Sequence, residues 1–504
     1  MKKYSLYILS IISGIIIALP LSYPGLYLLS WVGLVPFLYG IKKVSDFNYF
    51  TYFKAGSIFG FTIIFSSSFW LYYPLVEHSG LPWLFAVFLF LLLFILFGFI
   101  YGIWACLFVY VKKPGKISPF WLAISWVSIE YLRFRFLSEL PFGFIAYTQS
   151  NFTSLLQFAE FGGIYIISFI VLLINGYIFK FVINKKFRYI VPVLLILIII
   201  LSVGMLRLNY IKGLEQETVN VGVVQSNLTP AEKWDIANIE KNMDYFIDQS
   251  REISDYSLVV WPESSLTFDF VRNGFYREKF NKKISNIDFY LQTGSLAVAG
   301  EGVQKYNSSF LIGPDGEVVD RYNKNRLVPF GEYIPFTSLV EKLTGLRYYS
   351  ELPGEEVRIF QMNNVKWKTL ICSEILYPDI AKEKINSAQF LVNQSNEAWY
   401  RMGNLQEQMW SAALFRAVEN RRSIVKSGNK AYGGVISTGG TDVIKNHSIN
   451  VTTFTGELAV SNINTLYQKW GNYIGYISLI IVLILLITRV LLSLMKKLGL
   501  ITFK

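Results

Sequence analysis

Val365–Asp379 reads V-K-W-K-T-L-I-C-S-E-I-L-Y-P-D, with Cys372 near its centre. The apolar and β-branched run Thr369, Leu370 and Ile371 predicts a buried strand. Cys372 follows at once, and Ser373-Glu374-Ile375-Leu376 predicts the start of a helix that Pro378 ends. A thiol at a strand-to-helix turn lies where backbone N–H groups converge, so a thiolate can be stabilised there and an oxyanion held beside it. A lone cysteine is more often a core residue. The rest of the chain has to decide between the two roles.

Of the 504 residues, 53% are hydrophobic and 17% aromatic, more than an ordinary soluble chain carries. The mean hydropathy is +0.39 although a long central section is polar, so the apolar excess is concentrated elsewhere. A formal net charge of +12 would suit nucleic acid, but much of the Lys and Arg flanks apolar runs. That placement points to membrane topology, and no nucleic-acid partner is expected. With Cys106 and Cys372 alone no disulfide framework exists, and both thiols are expected to be free. Two histidines, His78 and His447, argue against a histidine-based metal site or a Ser–His triad. No metal or cofactor is expected, and a nucleophile here needs another base.

Apolar runs at roughly 5–20, 25–41, 56–75, 83–111, 118–137, 154–180 and 189–209, with another at roughly 472–494, predict about eight transmembrane helices. The first run, behind Met1-Lys2-Lys3, is expected to be retained, because more spans follow and no small-x-small cleavage site stands out. Lys2/Lys3, Lys42/Lys43/Lys54, Lys112/Lys113/Lys116 and Lys185/Lys186/Arg188 fill every second connection, and Lys496/Lys497 follow the last span. The positive-inside rule then puts both termini in the cytoplasm and the polar section outside, which is the periplasm for a bacterial inner membrane. The expected domains are a bundle at 1–212, a catalytic domain at 213–468, and a final helix and cytoplasmic tail at 469–504. One outer connection is unusual: Glu130-Tyr131-Leu132-Arg133-Phe134-Arg135, followed by Glu139-Leu140-Pro141-Phe142-Gly143. Arg133 and Arg135 read either as an interfacial belt or as headgroup and substrate contacts.

Between 213 and 468, strands alternate with helices. Thr218–Gln225, Tyr256–Trp261, Lys368–Ile371 and Ala388–Asn393 predict strands, and Gly313-Pro314-Asp315-Gly316 predicts a hairpin turn. Ala231–Ser254 carries helical periodicity and Gly403–Arg422 predicts a long helix. The pattern is that of one α/β domain. Glu263, in V-V-W-P-E-S-S, Lys324, in D-R-Y-N-K-N-R-L-V-P-F-G-E, and Glu332, which closes that segment, precede Cys372 near predicted strand ends. Singly, each reads as a helix-start acid, a loop lysine and a turn acid.

Together these segments resemble the carbon–nitrogen hydrolase (nitrilase) superfamily, whose Glu-Lys-Cys triad runs in this chain order. The combination with apolar runs is similar to one branch, the apolipoprotein N-acyltransferase family. Its motifs recur as Trp261–Glu263, Tyr306–Ser308, Tyr322–Glu332 and Ile371–Ile375, with the hydrolase domain inserted before the final span. The resemblance implies a membrane helical bundle carrying an αββα sandwich. It implies Cys372 as nucleophile, Glu263 as general base and then acid, and Lys324 as the charge that favours the thiolate and stabilises the oxyanion. Glu332 would orient Lys324 or assist proton traffic, whereas Glu374 reads equally as catalytic or structural. Trp399, Tyr400 and the Leu346–Tyr349 region are candidates for an apolar rim.

The implied reaction has two steps. A phospholipid, with phosphatidylethanolamine the expected donor, acylates Cys372 as a thioester. The α-amino group of an apolipoprotein's diacylglyceryl-cysteine then takes the chain. The partners are thus the membrane, a phospholipid and diacylated apolipoproteins, and a monomer suffices. Ser373 departs from the aromatic expected after the nucleophile, Arg401 from a glycine, Met409 from a histidine and Ser423 from a proline. A membrane-anchored amidase with the same triad is the alternative, although about eight spans exceed what one anchor needs. A non-catalytic scaffold sits poorly with an intact triad. A transporter sits poorly with so few charges inside the spans.

Overall fold

The computed structural model describes residues 2–44, 48–111, 117–137, 140–214, 217–253, 256–285, 287–300, 302, 304–400 and 404–498. Lys112, Lys113, Lys116, Glu139 and Arg401, all used in the sequence reading, lie outside them. The chain forms two compact units, residues 1–69, 89–207 and 470–504 in one, and 70–88 with 208–469 in the other.

The first unit is helical. Among the described residues, six helices are long and apolar enough to cross a membrane: Tyr4–Ser22, Pro24–Lys43, Trp83–Val111, Ala159–Asn184, Phe187–Lys212 and Tyr473–Lys497. Two further predicted spans are helices at Tyr49–Ser68 and Pro119–Phe136 but fall short in apolarity. Hydroxyl groups and Lys54 dilute the first, and Glu130, Arg133 and Arg135 charge the second. Large rings fill the interior, with Phe37, Phe59, Tyr101, Trp104 and Trp126 in mutual contact. A Cβ on Gly56 would stand 2.5 Å from the carbonyl oxygen of Tyr101, so its absence lets two helices touch backbone to backbone.

The charged connection differs from its expected place at a surface. Glu130 and Arg133 are 0% and 2% exposed. Glu130 accepts from the Ile145 N–H at 2.9 Å, and Arg133 donates to the Phe142 carbonyl at 2.6 Å between the rings of Phe97 and Phe144. Arg133 is therefore an internal strut of the bundle rather than a substrate contact, because burial leaves its guanidinium facing only protein. Arg135, two residues on, is exposed.

The second unit is built on strands β1 (Thr218–Val224), β2 (Leu258–Val260), β3 (Leu266–Asp269), β4 (Tyr290–Val298), β5 (Lys305–Ile312), β6 (Val318–Asn323), β7 (Ile359–Met362), β8 (Val365–Ile371), β9 (Phe390–Asn396), β10 (Ser423–Asn429), β11 (Tyr432–Ile436), β12 (Asp442–His447) and β13 (Thr453–Ala459). One sheet runs β13-β1-β2-β4-β5-β6 with β3 beside β4, and the other runs β12-β11-β10-β9-β8-β7. The central strands β1, β2 and β4 pair in parallel, as do β8, β9 and β10.

Helices Ile239–Arg251 and Gly274–Ile284 cover the first sheet, burying Met243, Phe246, Phe280 and Ile284 against Val259, Leu291 and Phe310. Leu405–Asn420 is buried almost throughout and packs on β11 and the turn after β8. Between the sheets a polar seam joins β4 to β8 and β9. Gln292 donates to Thr369 Oγ1 at 2.9 Å and accepts from Trp367 Nε1 at 2.8 Å, so these buried amides are satisfied. The layers are helix, sheet, sheet, helix.

The predicted hairpin forms between β5 and β6, with Gly316 at φ +81°. The predicted helical stretch at 231–254 is broken after Trp234. Asp235 caps a new turn there by accepting from the Ala237 N–H at 3.0 Å.

Candidate active site

β8 ends at Ile371 and the chain turns at Cys372, whose φ of +51° lies in the left-handed region that few non-glycine residues adopt. A 3-10 helix, Cys372–Leu376, follows. Pro378 does not end it but occupies the first position of the next helix, Pro378–Lys382, where its missing N–H costs nothing. Asn393 Nδ2 donates to the Leu370 and Cys372 carbonyls at 3.0 and 3.3 Å, and the Asn396 N–H is directed at the Cys372 sulfur.

Glu374 is fully buried and holds this turn in place. Its carboxylate accepts from the N–H groups of Ile371, Asn325 and Arg326 at 2.8, 2.8 and 3.1 Å and from Tyr322 Oη at 2.8 Å. The nucleophile turn is thereby tied to the loop that begins at Lys324. The geometry favours the positioning role for Glu374 over a catalytic one.

Lys324 follows β6 and is 1% exposed, with Nζ 2.5 Å from Glu332 Oε1 and 3.6 Å from Glu263 Oε1. Glu332 also accepts from the Val328 N–H at 2.7 Å. Asn307 Nδ2, from β5, bridges the two acids at 2.7 Å from Glu263 Oε1 and 3.1 Å from Glu332 Oε1. Glu263 comes from the turn after β2, where Ser264 has φ +50°. That turn presses on β4. A Cβ on Gly294 would stand 2.3 Å from the Ser264 nitrogen and 2.8 Å from the Glu263 Cα. Lys233 is buried behind it and donates to the Glu263 carbonyl at 2.8 Å.

Electrostatics set the resting protonation. Burial lowers the Lys324 ammonium, but Glu332 and Glu263 outweigh it and the net shift is well upward, so Lys324 stays charged. Burial pushes the Cys372 thiol far up, Glu263 adds to this, and Lys324 opposes without winning. The sequence reading favoured a stabilised thiolate. In this site desolvation exceeds the Lys324 attraction, and the resting group is the thiol.

Cys372, Glu263, Lys324 and Glu332 line one cavity of about 140 Å³ together with Trp399 and Tyr400. The last two follow β9, where Lys426 pairs with Glu397 at 2.6 Å. Segment 70–88 packs on them, with Trp70 edge-on to Tyr400 at 5.3 Å and His78 edge-on to Trp399 at 5.2 Å. A neighbouring cavity of about 300 Å³ is lined by His78, Leu346 and Tyr349 among others. The Ser373 hydroxyl is buried without a partner and Met409 is buried in its helix. Ser423 opens β10 and donates to the Ala459 carbonyl at 2.6 Å. Arg133 and Arg135 belong to the helical unit. Among the described residues no three His, Cys, Asp or Glu side chains are grouped to hold a metal.

Residues 13–177 match the model of the apolipoprotein N-acyltransferase N-terminal domain, and residues 220–445 match that of carbon-nitrogen hydrolase. Over most of its length the chain is similar to the apolipoprotein N-acyltransferase family. It is 26% identical to the apolipoprotein N-acyltransferase of Geobacter metallireducens over 93% of this chain and 92% of that one. With the Rickettsia bellii relative of the same name it shares 29% over 93% and 94% of the two chains, and with that of Coxiella burnetii 27% over 86% and 90%. The match to that N-terminal domain, together with relatives of the same name over most of the chain, favours acyl transfer over the anchored amidase.

Several functional candidates escaped the sequence reading. Asn307 was visible within Tyr306–Ser308, but its bridging role needed the β5–β6 register. Lys233 carried no signal, because a lysine beside a tryptophan is ordinary locally, and residues 70–88, read as the ends of two apolar runs and their connection, group with the α/β unit instead.

Proposed function

We propose that this chain moves an acyl chain from a phospholipid, through a thioester on Cys372, to the α-amino group of the S-diacylglyceryl-cysteine at the N-terminus of apolipoproteins. Phosphatidylethanolamine is the expected donor. The reaction runs at the periplasmic face of the bacterial inner membrane, with both termini cytoplasmic and the protein acting as a monomer.

In the first half-reaction Glu263 takes the thiol proton as Cys372 Sγ attacks the ester carbonyl. Because the resting group is a neutral thiol, proton transfer and attack are coupled rather than sequential. The oxyanion that forms is met by Lys324 Nζ and the backbone N–H after Cys372. Collapse breaks the ester C–O bond, Glu263 returns its proton to the leaving alkoxide, and a lysophospholipid departs. In the second half-reaction the free amine attacks the thioester carbonyl, Glu263 receives the amine's proton, and the C–S bond breaks. That proton passes to the departing sulfur, leaving an amide and the starting thiol. Trp399, Tyr400 and segment 70–88 exclude water that would hydrolyse the thioester. Glu332 and Asn307 keep Lys324 and Glu263 in register.

The observation that carries this reading is the meeting of Cys372, Glu263 and Lys324 in one cavity, in a chain whose described residues include six helices apolar enough to cross a membrane. Mass spectrometry after incubation with phospholipid tests it. An acyl mass on Cys372 is expected, absent from Cys372→Ala and discharged by a diacylated lipopeptide. An unmodified Cys372, with Cys372→Ala still acylating the lipopeptide, rules the mechanism out.

A further inference from the structure

The cavity around Cys372 holds more carboxyl groups than the transfer chemistry uses. Glu263 and Glu332 share the Lys324 ammonium, and Lys233 stands behind Glu263. Glu351 is a third carboxyl on the same cavity, and its Oε2 is buried without a hydrogen-bond partner. Lys324 therefore pairs with two of these three carboxyls, and Glu351 is the one it does not pair.

A second observation is independent of this pairing. Asn307 is 3% exposed, and its Nδ2 is committed to Glu263 and Glu332. Those two carboxylates can only accept, so the amide orientation is set and Oδ1 remains an acceptor. That oxygen is also buried without a partner. Unsatisfied buried polar atoms are uncommon and costly, and two of them on one cavity call for a polar partner, which an ammonium group supplies. Burial, with Glu332 and Glu263 adding and Lys324 and Lys305 opposing, pushes the Glu351 carboxyl up to about 8. An arriving cation would restore its charge at neutral pH.

We propose that Glu351, together with Asn307 Oδ1, binds a primary ammonium group of a substrate beside Cys372. This rests on the acyl-transfer reading above. Two substrates carry that group: the ethanolamine headgroup of the donor lipid and the α-amino group of the acceptor.

Full-length Glu351→Gln and wild type are compared on paired substrates. Loading of Cys372 is followed by intact mass from phosphatidylethanolamine and from phosphatidylglycerol. Discharge is followed with a diacylated lipopeptide and with hydroxylamine, which is largely uncharged near neutral pH. In one pair, the variant's rate on the ammonium substrate should fall by about tenfold or more relative to its partner. A fall in the donor pair assigns the site to the headgroup, and a fall in the acceptor pair assigns it to the α-amino group. Unchanged ratios in both pairs, or equal falls within each pair, overturn the proposal. If Glu351→Gln loses its thermal unfolding transition, Glu351→Asp carries the test through a raised KM for one ammonium substrate alone, and unchanged KM values overturn it. A wild type that never loads Cys372 refutes the acyl-transfer reading instead, whereas a working wild type with unaltered ratios in the variant refutes only the role of Glu351.

Discussion

Lys324 is a buried cation whose two carboxylate partners hold it charged, and in the proposed reaction its ammonium meets the negative charge that develops on the attacked carbonyl. Lys324→Ala should slow acyl-enzyme formation by about 10²–10³, the usual loss for one oxyanion donor, while the protein keeps its thermal unfolding transition. Quenched time points read by intact mass check this, and loading at the wild-type rate would remove the assigned role. At this scale much of the site was legible, since Glu263, Lys324, Glu332 and Cys372 stand in recognisable short motifs. What could not be read was the protonation of Cys372. The local turn argues for a thiolate, and only its degree of burial, a property of distant packing, reverses the sign. Arg133 was misplaced for the same reason, as its Phe142 and Phe144 neighbours arrive through a turn the pattern did not specify.

Among the strands, β4 approaches the Glu263 turn so closely that position 294 has no room for a methyl group. Gly294→Ala must push β4 or the Glu263–Ser264 backbone aside, and overpacking of this kind costs about 1–3 kcal/mol. Both a lower unfolding temperature and slower Cys372 loading are expected, and normal values for both would contradict the close contact. β8 carries a second device, Lys368, whose buried ammonium donates to the Ile380 and Glu383 carbonyls. Burial pulls it down to about 7 from the ordinary 10.5, with Glu374 and Glu383 opposing. Between those values the unfolded chain holds a proton that the folded one has released, so stability rises with pH across the window. Below about 7 the fold carries the full cost of a buried charge. The unfolding temperature of the wild type should therefore climb relative to Lys368→Met as pH rises through that window, and a constant difference would contradict the assignment. Strand and hairpin positions followed from residue pattern, whereas Pro378 and the break at Asp235 did not. Capping and first-turn positions depend on which backbone groups are left unpaired in the fold.

Across the whole molecule, the positive-inside rule applied to the basic connections predicts that the α/β unit lies outside the membrane. A protease or thiol probe added from the periplasmic side should reach that unit in intact cells, and access from the cytoplasm alone would overturn the topology. Apolar runs, the order of the Glu, Lys and Cys motifs and the α/β alternation were determined by the sequence alone. Each reflects a transfer or backbone preference carried by neighbouring residues. The tertiary structure decided what depends on residues far apart in the chain: the bridge of Asn307 between Glu263 and Glu332, the tie from Glu374 to the Lys324 loop, and the grouping of segment 70–88 with the α/β unit. It also decided which buried groups stay charged. Desolvation and pairing are sums over contacts that no local pattern encodes, so the chemistry of Cys372 was named by its motif and its resting state was set by the fold.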